Sequence, residues 1–210
     1  MNYSTYLFDF DYTLVNSELG IVNCFIKTLQ DYNIHEISDY NIKRTIGLPL
    51  IDAFAKLINS NDEVLLSNLK KTYIGYEQDL VVSNTFLFPE TEKTLYTLYS
   101  SHKKIGIISN KPRKLIECTL EKYNISNLIS IVIGSEDVNK AKPNPEGLNL
   151  ALSLLNTSKN TTLYVGDSLI DYHTAQNANV NFVGITTGTT TSDDFNSVKA
   201  KNISSLLQLL

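Results

Sequence analysis

The chain has 210 residues, of which 42% are hydrophobic and 19% charged, with a formal net charge of −4. That is room for one compact domain with a modest insertion, and it is too apolar for wholesale disorder. The mild acidity without any Lys/Arg block argues against a nucleic-acid surface, and no apolar run approaches the roughly 18 residues of a membrane span. The opening stretch Met1-Asn2-Tyr3-Ser4-Thr5-Tyr6 has no basic or apolar leader pattern, so export is not expected. Two cysteines, Cys24 and Cys118, are too few for a disulfide framework and read as reduced thiols of a cytoplasmic protein.

Thr5-Tyr6-Leu7-Phe8-Asp9-Phe10 is a short apolar run of strand length. Helical spacing follows over 17–33, and again near 38–45, 49–58 and 61–82, with no strand between. The span 16–83 therefore reads as one all-helical block. After Pro89 come a helix over 91–101, the strand Lys104-Ile105-Gly106-Ile107-Ile108, and a helix carrying Leu115, Ile116 and Leu120. Leu128 to Ile133 reads as a further strand, 145–155 as a helix, and Thr161 to Val165 as a strand. A helix over 168–178, a strand from Val180 to Ile185 and a closing helix from Ser204 to Leu209 complete the chain. Alternating strands and helices predict βαβ units and a parallel sheet. The expected architecture is a doubly wound, Rossmann-like α/β core over 1–15 and 84–210, with a helical cap inserted over 16–83.

Open α/β sheets bind ligands beyond the carboxyl ends of their strands. The residues just past the apolar runs are Asp9-Phe10-Asp11, Ser109-Asn110-Lys111 and Gly166-Asp167-Ser168, with Asp171 one turn further. The loop after the 128–133 strand leads to Lys142-Pro143-Asn144-Pro145. Carboxylates, a hydroxyl and a lysine are thus brought together from separate strand ends. Asp9 and Asp11, two apart in an extended segment, project to one side. Two close carboxylates can divide roles as nucleophile and proton donor, and their repulsion calls for a cation. With Asp167 as a further oxygen ligand, the set suits Mg²⁺, which keeps waters and meets substrate phosphate. Lys142 and Ser109 can neutralise and hydrogen-bond a tetrahedral anion, helped by the helix N-termini after residues 110 and 168. Asn110 is expected to offer its backbone N–H, and Lys111 and Arg113 are expected to be solvated. Singly, Asp167 or Ser168 would read as a helix cap and Asp171 as a first-turn acid. Together with Lys142 and Ser109 they read as a site.

This constellation resembles the haloacid dehalogenase superfamily, whose four signatures occur here in order. They are Asp9-Phe10-Asp11-Tyr12-Thr13, Ser109, Lys142-Pro143-Asn144-Pro145 and Gly166-Asp167-Ser168-Leu169-Ile170-Asp171. Ser109-Asn110-Lys111, Gly47-Leu48-Pro49-Leu50 and Gly184-Ile185-Thr186-Thr187-Gly188 make it similar to the phosphoglycolate phosphatase group. That group also holds pyrophosphatases, sugar phosphatases and phosphomutases. The resemblance implies a Mg²⁺-dependent phosphatase of a small phosphorylated metabolite. Asp9 would form an aspartyl-phosphate, and Asp11 would act as acid then base. Asp9, the Asp11 carbonyl and Asp167 would hold the metal, and Asp171 would orient that shell. Thr13, Ser109, Asn110, Lys142 and the cap residue Arg44, beside Lys43, would face the substrate. A phosphomutase would use the same residues, and Thr13 favours hydrolysis over it. A dehalogenase would lack Asp11, and a silent binding module would not need the intact set. Tyr12 stands where the closest groups usually carry Gly, so the turn out of the site falls to a residue with a stricter backbone. Asn179 replaces the usual Gly at the end of the last signature's helix, and is the next best left-handed stop.

Overall fold

The computed structural model describes residues 3–210. The strands are β1 (Thr5–Phe8), β2 (Val15–Asn16), β3 (Phe86–Leu87), β4 (Lys104–Ile108), β5 (Ile131–Ile133), β6 (Thr162–Gly166), β7 (Asn181–Ile185) and β8 (Asn202–Ile203). The helices are α1 (Glu18–Asp31), α2 (Asp39–Lys43), α3 (Leu50–Ile58), α4 (Glu63–Glu77), α5 (Thr91–Ser100), α6 (Arg113–Lys122), α7 (Glu146–Leu154), α8 (Leu169–Ala178) and α9 (Ser192–Ser197). The chain divides into two compact units, one of residues 1–15 and 87–210, the other of residues 16–86.

In the first unit six strands form one parallel sheet in the order β5-β4-β1-β6-β7-β8. The chain runs outward from β1 through β4 to β5, then returns to the other side of β1 for β6, β7 and β8. β1 is therefore the point where the winding direction reverses, with Thr5 in register with both Lys104 and Thr162. The two faces carry separate cores. Tyr6 and Phe8 of β1 join Ile105, Ile107, Leu95, Ile116 and Leu120 on one face. Leu7 points the other way, among Ile108, Tyr164, Leu148, Ala151 and Ala175. This period-2 alternation in a strand buried on both sides is why β1 reads as a continuous apolar run. The sheet is the doubly wound α/β core expected from the sequence.

The second unit holds α1 to α4, with a π-helical turn over Gln78–Val82 after α4. Its core is the apolar face of α1 against α3 and α4. Phe25 lies 4.8 Å from both Phe54 and Tyr73, ring centre to ring centre. Gly47, at φ 93°, makes the turn between α2 and α3.

Some local expectations need correction. The apolar run from Leu128 is a strand only over Ile131–Ile133; Ser126–Leu128 is a 3₁₀ turn that buries Leu128 in the core. The closing segment is a 3₁₀ turn over Leu206–Leu209, preceded by the edge strand β8. α9 lay unread in the sequence, although Thr191 and Asp194 have the spacing of the capping box that starts it. Cys24 is fully buried, whereas Cys118 is only partly so. Asn179 ends α8 in the left-handed conformation, at φ 54° and ψ 46°.

Candidate active site

Asp9 follows directly on β1, and its backbone N–H extends the ladder to the Val165 carbonyl at 2.8 Å. Ser109 follows β4 with its N–H on the Ile133 carbonyl, and Asp167 follows β6. Because β1 lies between β4 and β6, these three residues come out side by side at the switch point of the sheet. Asp9, Asp11, Ser109, Lys111, Lys142, Asp167 and Asp171 are all buried.

Lys142 is the hub. Its Nζ lies 2.6 Å from Asp9 Oδ1, 2.7 Å from Asp171 Oδ1 and 3.1 Å from the Tyr164 hydroxyl. All three donor directions of the ammonium are thus used. Burial by itself would lower its pKa, but Asp171 and Asp9 more than offset this and raise it, so the charge is held. Asp171 also closes the capping box of α8, accepting from the Ser168 N–H and hydroxyl while Ser168 accepts from the Asp171 N–H. The cap reading and the site reading of Asp171 are therefore both true of one carboxylate. Gly166 allows its approach, since a Cβ there would fall 2.4 Å from Asp171 Cγ. Asn110 works through its side chain rather than only its backbone. It accepts from the Lys142 N–H at 2.9 Å and donates to the Lys142 carbonyl at 3.4 Å, tying the lysine loop to the end of β4.

Two expectations fail here. Lys111 is buried, not solvated, with its Nζ 3.0 and 3.2 Å from the two carboxylate oxygens of Asp11. Nothing in the local sequence signals this, because the contact joins residues 100 positions apart. The first turn of α6 is also engaged internally, since the Arg113 N–H donates to the Glu136 carboxylate at 3.0 and 3.1 Å. Arg113 itself pairs with Asp137 on the surface. Thr13, expected to face the substrate, is fully buried, and its Oγ1 has no hydrogen-bond partner among the described residues. In the helical unit Lys43 pairs with Glu18 at 2.8 Å, and Arg44 donates to the Tyr40 hydroxyl at 3.1 Å.

Tyr12 takes the conformation the usual glycine would take, with φ 60°, yet its ring is buried. Such a backbone costs a non-glycine residue about 1–3 kcal/mol and persists only where the surroundings impose it. Here its N–H donates to the Val15 carbonyl at 2.8 Å and its carbonyl accepts from the Thr187 hydroxyl. The loop after β7 thereby fixes the turn that carries Asp11.

Asp9, Asp167 and Asp171 each offer an oxygen within 4.8 Å of the others. Burial pushes the Asp9 carboxyl up to about 7; Lys142 opposes the rise and Asp171 adds to it. Burial, then Asp171 and Asp9, push Asp167 well up too. The pocket thus gathers more negative charge than Lys142 balances, and an oxygen-only donor set of this kind fits a hard divalent cation. Both oxygens of Asp171 are already engaged by Lys142, Tyr164 and Ser168. Asp9 and Asp167 are the carboxylates left to such an ion. Gly188 lies against Asp167, because a Cβ there would fall 1.9 Å from Asp167 Oδ2. Gly188→Ala is therefore expected to displace that carboxylate. The divalent-ion concentration for half-maximal activity should rise about 10-fold or more, as for other groups that support a ligand. An unchanged ion requirement would show that Asp167 does not need this wall.

A model of the haloacid dehalogenase-like hydrolase family matches residues 6–185. A pyrophosphatase PpaX of Oceanobacillus iheyensis is 32% identical over 180 residues, which are 86% of this chain and 82% of that protein. A phosphoglycolate phosphatase of Salmonella paratyphi A is 35% identical over 147 residues, 70% of this chain. The matched part is 56% of that relative's length. A crystal structure described as a haloacid dehalogenase-like hydrolase of Bacteroides fragilis matches with a TM-score of 0.96 and 41% identity, covering 99% of this chain and 100% of that one. With the family's model spanning most of the chain and relatives above 30% identity along it, the protein belongs to the haloacid dehalogenase-like hydrolases.

Proposed function

We propose that the protein is a Mg²⁺-dependent phosphatase of a small phosphorylated metabolite. The observation that carries this is the Asp9 carboxylate, at the switch point of the sheet, gripped by Lys142 at 2.6 Å with Asp167 beside it. Asp9 attacks phosphorus and forms an aspartyl-phosphate while the bond to the leaving oxygen breaks. Asp11 gives that oxygen a proton, then takes one from the water that hydrolyses the acyl phosphate. Lys142, with Ser109 and the Asn110 N–H, stabilises charge on the non-bridging oxygens. Asp171, Tyr164 and Asn110 keep Lys142 in place. Asp9, the Asp11 carbonyl and Asp167 are the groups to hold Mg²⁺, which when bound supplies positive charge against the phosphoryl oxygens. Thr13 supports the loop from inside. The helical unit, inserted after the first strand, serves as the cap, with Arg44 its candidate substrate contact. The relatives' names include both a pyrophosphatase and a phosphoglycolate phosphatase, so either substrate class fits this chemistry.

The test is phosphate release from pyrophosphate, phosphoglycolate, sugar phosphates and an aryl phosphate, with Mg²⁺ and with excess chelator. Release that stops on chelation and returns with Mg²⁺ is the expected result; full activity in chelator would remove the metal from the mechanism. The metal should also stabilise the fold. A carboxyl raised from 3.8 to about 7 binds more protons folded than unfolded between those values, so its contribution to stability declines as pH rises through that window. Mg²⁺ should therefore raise Tm, and more at pH 8 than at pH 5. Equal shifts at both pH values would separate ion binding from these carboxylates.

A further inference from the structure

Lys111 is a core cation to which the mechanism above gives no task. It sits two residues after Ser109, its side chain 6% exposed, with both oxygens of Asp11 on its Nζ. A desolvated ammonium is costly to bury, and Asp11 compensates for it. Yet Asp11 is the carboxylate that must meet the leaving oxygen, a role that rests on the proposed phosphatase reading. An ammonium sharing that carboxylate stands on the leaving side of the phosphoryl group. Lys142, held between Asp9 and Asp171, stands on the nucleophile's side. The two buried lysines thus hold different carboxylates, Lys111 that of Asp11 and Lys142 those of Asp9 and Asp171.

We propose that Lys111 is a specificity-determining residue that holds Asp11 at rest and binds a negative group on the leaving part of the substrate during turnover. As the Asp9–phosphorus bond forms and the phosphorus–oxygen bond breaks, the electron pair stays on the leaving oxygen. Binding of the substrate's anionic group draws Lys111 off Asp11, which then takes a proton from solvent. The leaving oxygen takes that proton, and Lys111 faces the charge the leaving group carries. The substrate class is a phosphate ester or anhydride with an anionic group close to the scissile oxygen. Inorganic pyrophosphate and a carboxylated alkyl phosphate both have that chemistry. The cations of the helical unit are weaker candidates for the same task. Lys43 is already paired with Glu18, and Arg44 lies over Tyr40 in an exposed position, where solvent screens its charge.

The experiment compares kcat/KM for pyrophosphate, phosphoglycolate and phenyl phosphate, at saturating Mg²⁺, in the wild type, Lys111→Met, Lys111→Arg and Arg44→Ala. Lys111→Met should lose roughly 10- to 150-fold more on at least one anionic substrate than on phenyl phosphate, chiefly in KM. Which of the two shows the larger ratio identifies the source of the charge. Lys111→Arg should restore most of the loss, and Arg44→Ala should show a smaller ratio. Equal losses on all three substrates, or no loss, would overturn the proposal and leave Lys111 a support for Asp11 alone. If the Met variant does not fold, the wild type still decides. 3-Phosphonopropionate should inhibit phenyl phosphate hydrolysis at least about 10-fold better than propylphosphonate, which has a methyl group in place of the carboxylate. Equal inhibition by that pair, with no preference for pyrophosphate over phenyl phosphate, would overturn it as well. A wild type that hydrolyses none of the three would instead bring down the phosphatase reading, and this proposal with it.

Discussion

Asp9→Asn is expected to abolish phosphate release, by at least roughly 10³-fold, while the fold survives. An amide cannot attack phosphorus, yet it has nearly the shape of the carboxyl group. Its effect on stability should have the opposite sign from its effect on activity. Burial already disfavours the charged form of Asp9, so a permanently neutral side chain spares the metal-free protein that cost above about pH 7. The measurements are aryl phosphate hydrolysis with Mg²⁺ and melting temperature without it. Wild-type protein quenched during turnover should carry a phosphoryl group that hydroxylamine removes, as expected of an acyl phosphate, and the variant should carry none. Hydrolysis by Asp9→Asn near the wild-type rate would end the covalent mechanism.

Lys142→Met should cost both activity and stability. Removing one preorganised donor from developing charge costs on the order of 10² to 10³ in rate. Here the same change strips the buried Asp9 and Asp171 of their shared partner, with side chains only 4% and 1% exposed. Breaking a buried pair from one side costs about 3–5 kcal/mol. Urea unfolding in metal-free buffer at pH 8 measures this, and Lys142→Met/Asp171→Asn should recover part of it, because one orphaned charge is gone. A variant as stable as the wild type would show that the ion cluster serves chemistry alone.

Much of the architecture was legible in the chain because it depends on local pattern. Beyond their first residues, Thr5 and Lys104, β1 and β4 are apolar runs because they are buried on both faces, and such runs mark central parallel strands. Asp9, Ser109 and Asp167 stand directly after the apolar runs, so the rule for strand ends singled them out. Other elements left no such trace. β8 has two residues and no periodicity, and the run from Leu128 is apolar because a 3₁₀ turn is buried there as deeply as a strand would be.

What the sequence by itself determined is the inventory and its order, which are strands, helices, an inserted helical block and four groups of polar residues at strand ends. These follow from spacing and residue type, which act over a few positions. Only the tertiary structure decided who partners whom. Lys111 follows Asn110 in a loop, where an ammonium is ordinarily solvated, and its burial on Asp11 depends on β4 lying beside β1. Asn110 grips the backbone of Lys142 from 32 residues away, and Thr187 holds the Tyr12 carbonyl across 175. Hydrogen bonds and ion pairs reach about 3 Å, whatever the separation along the chain. Their identity is therefore set by sheet order and register, and the raised pKa of Asp9 and of Asp167 follows from the burial that the same packing creates.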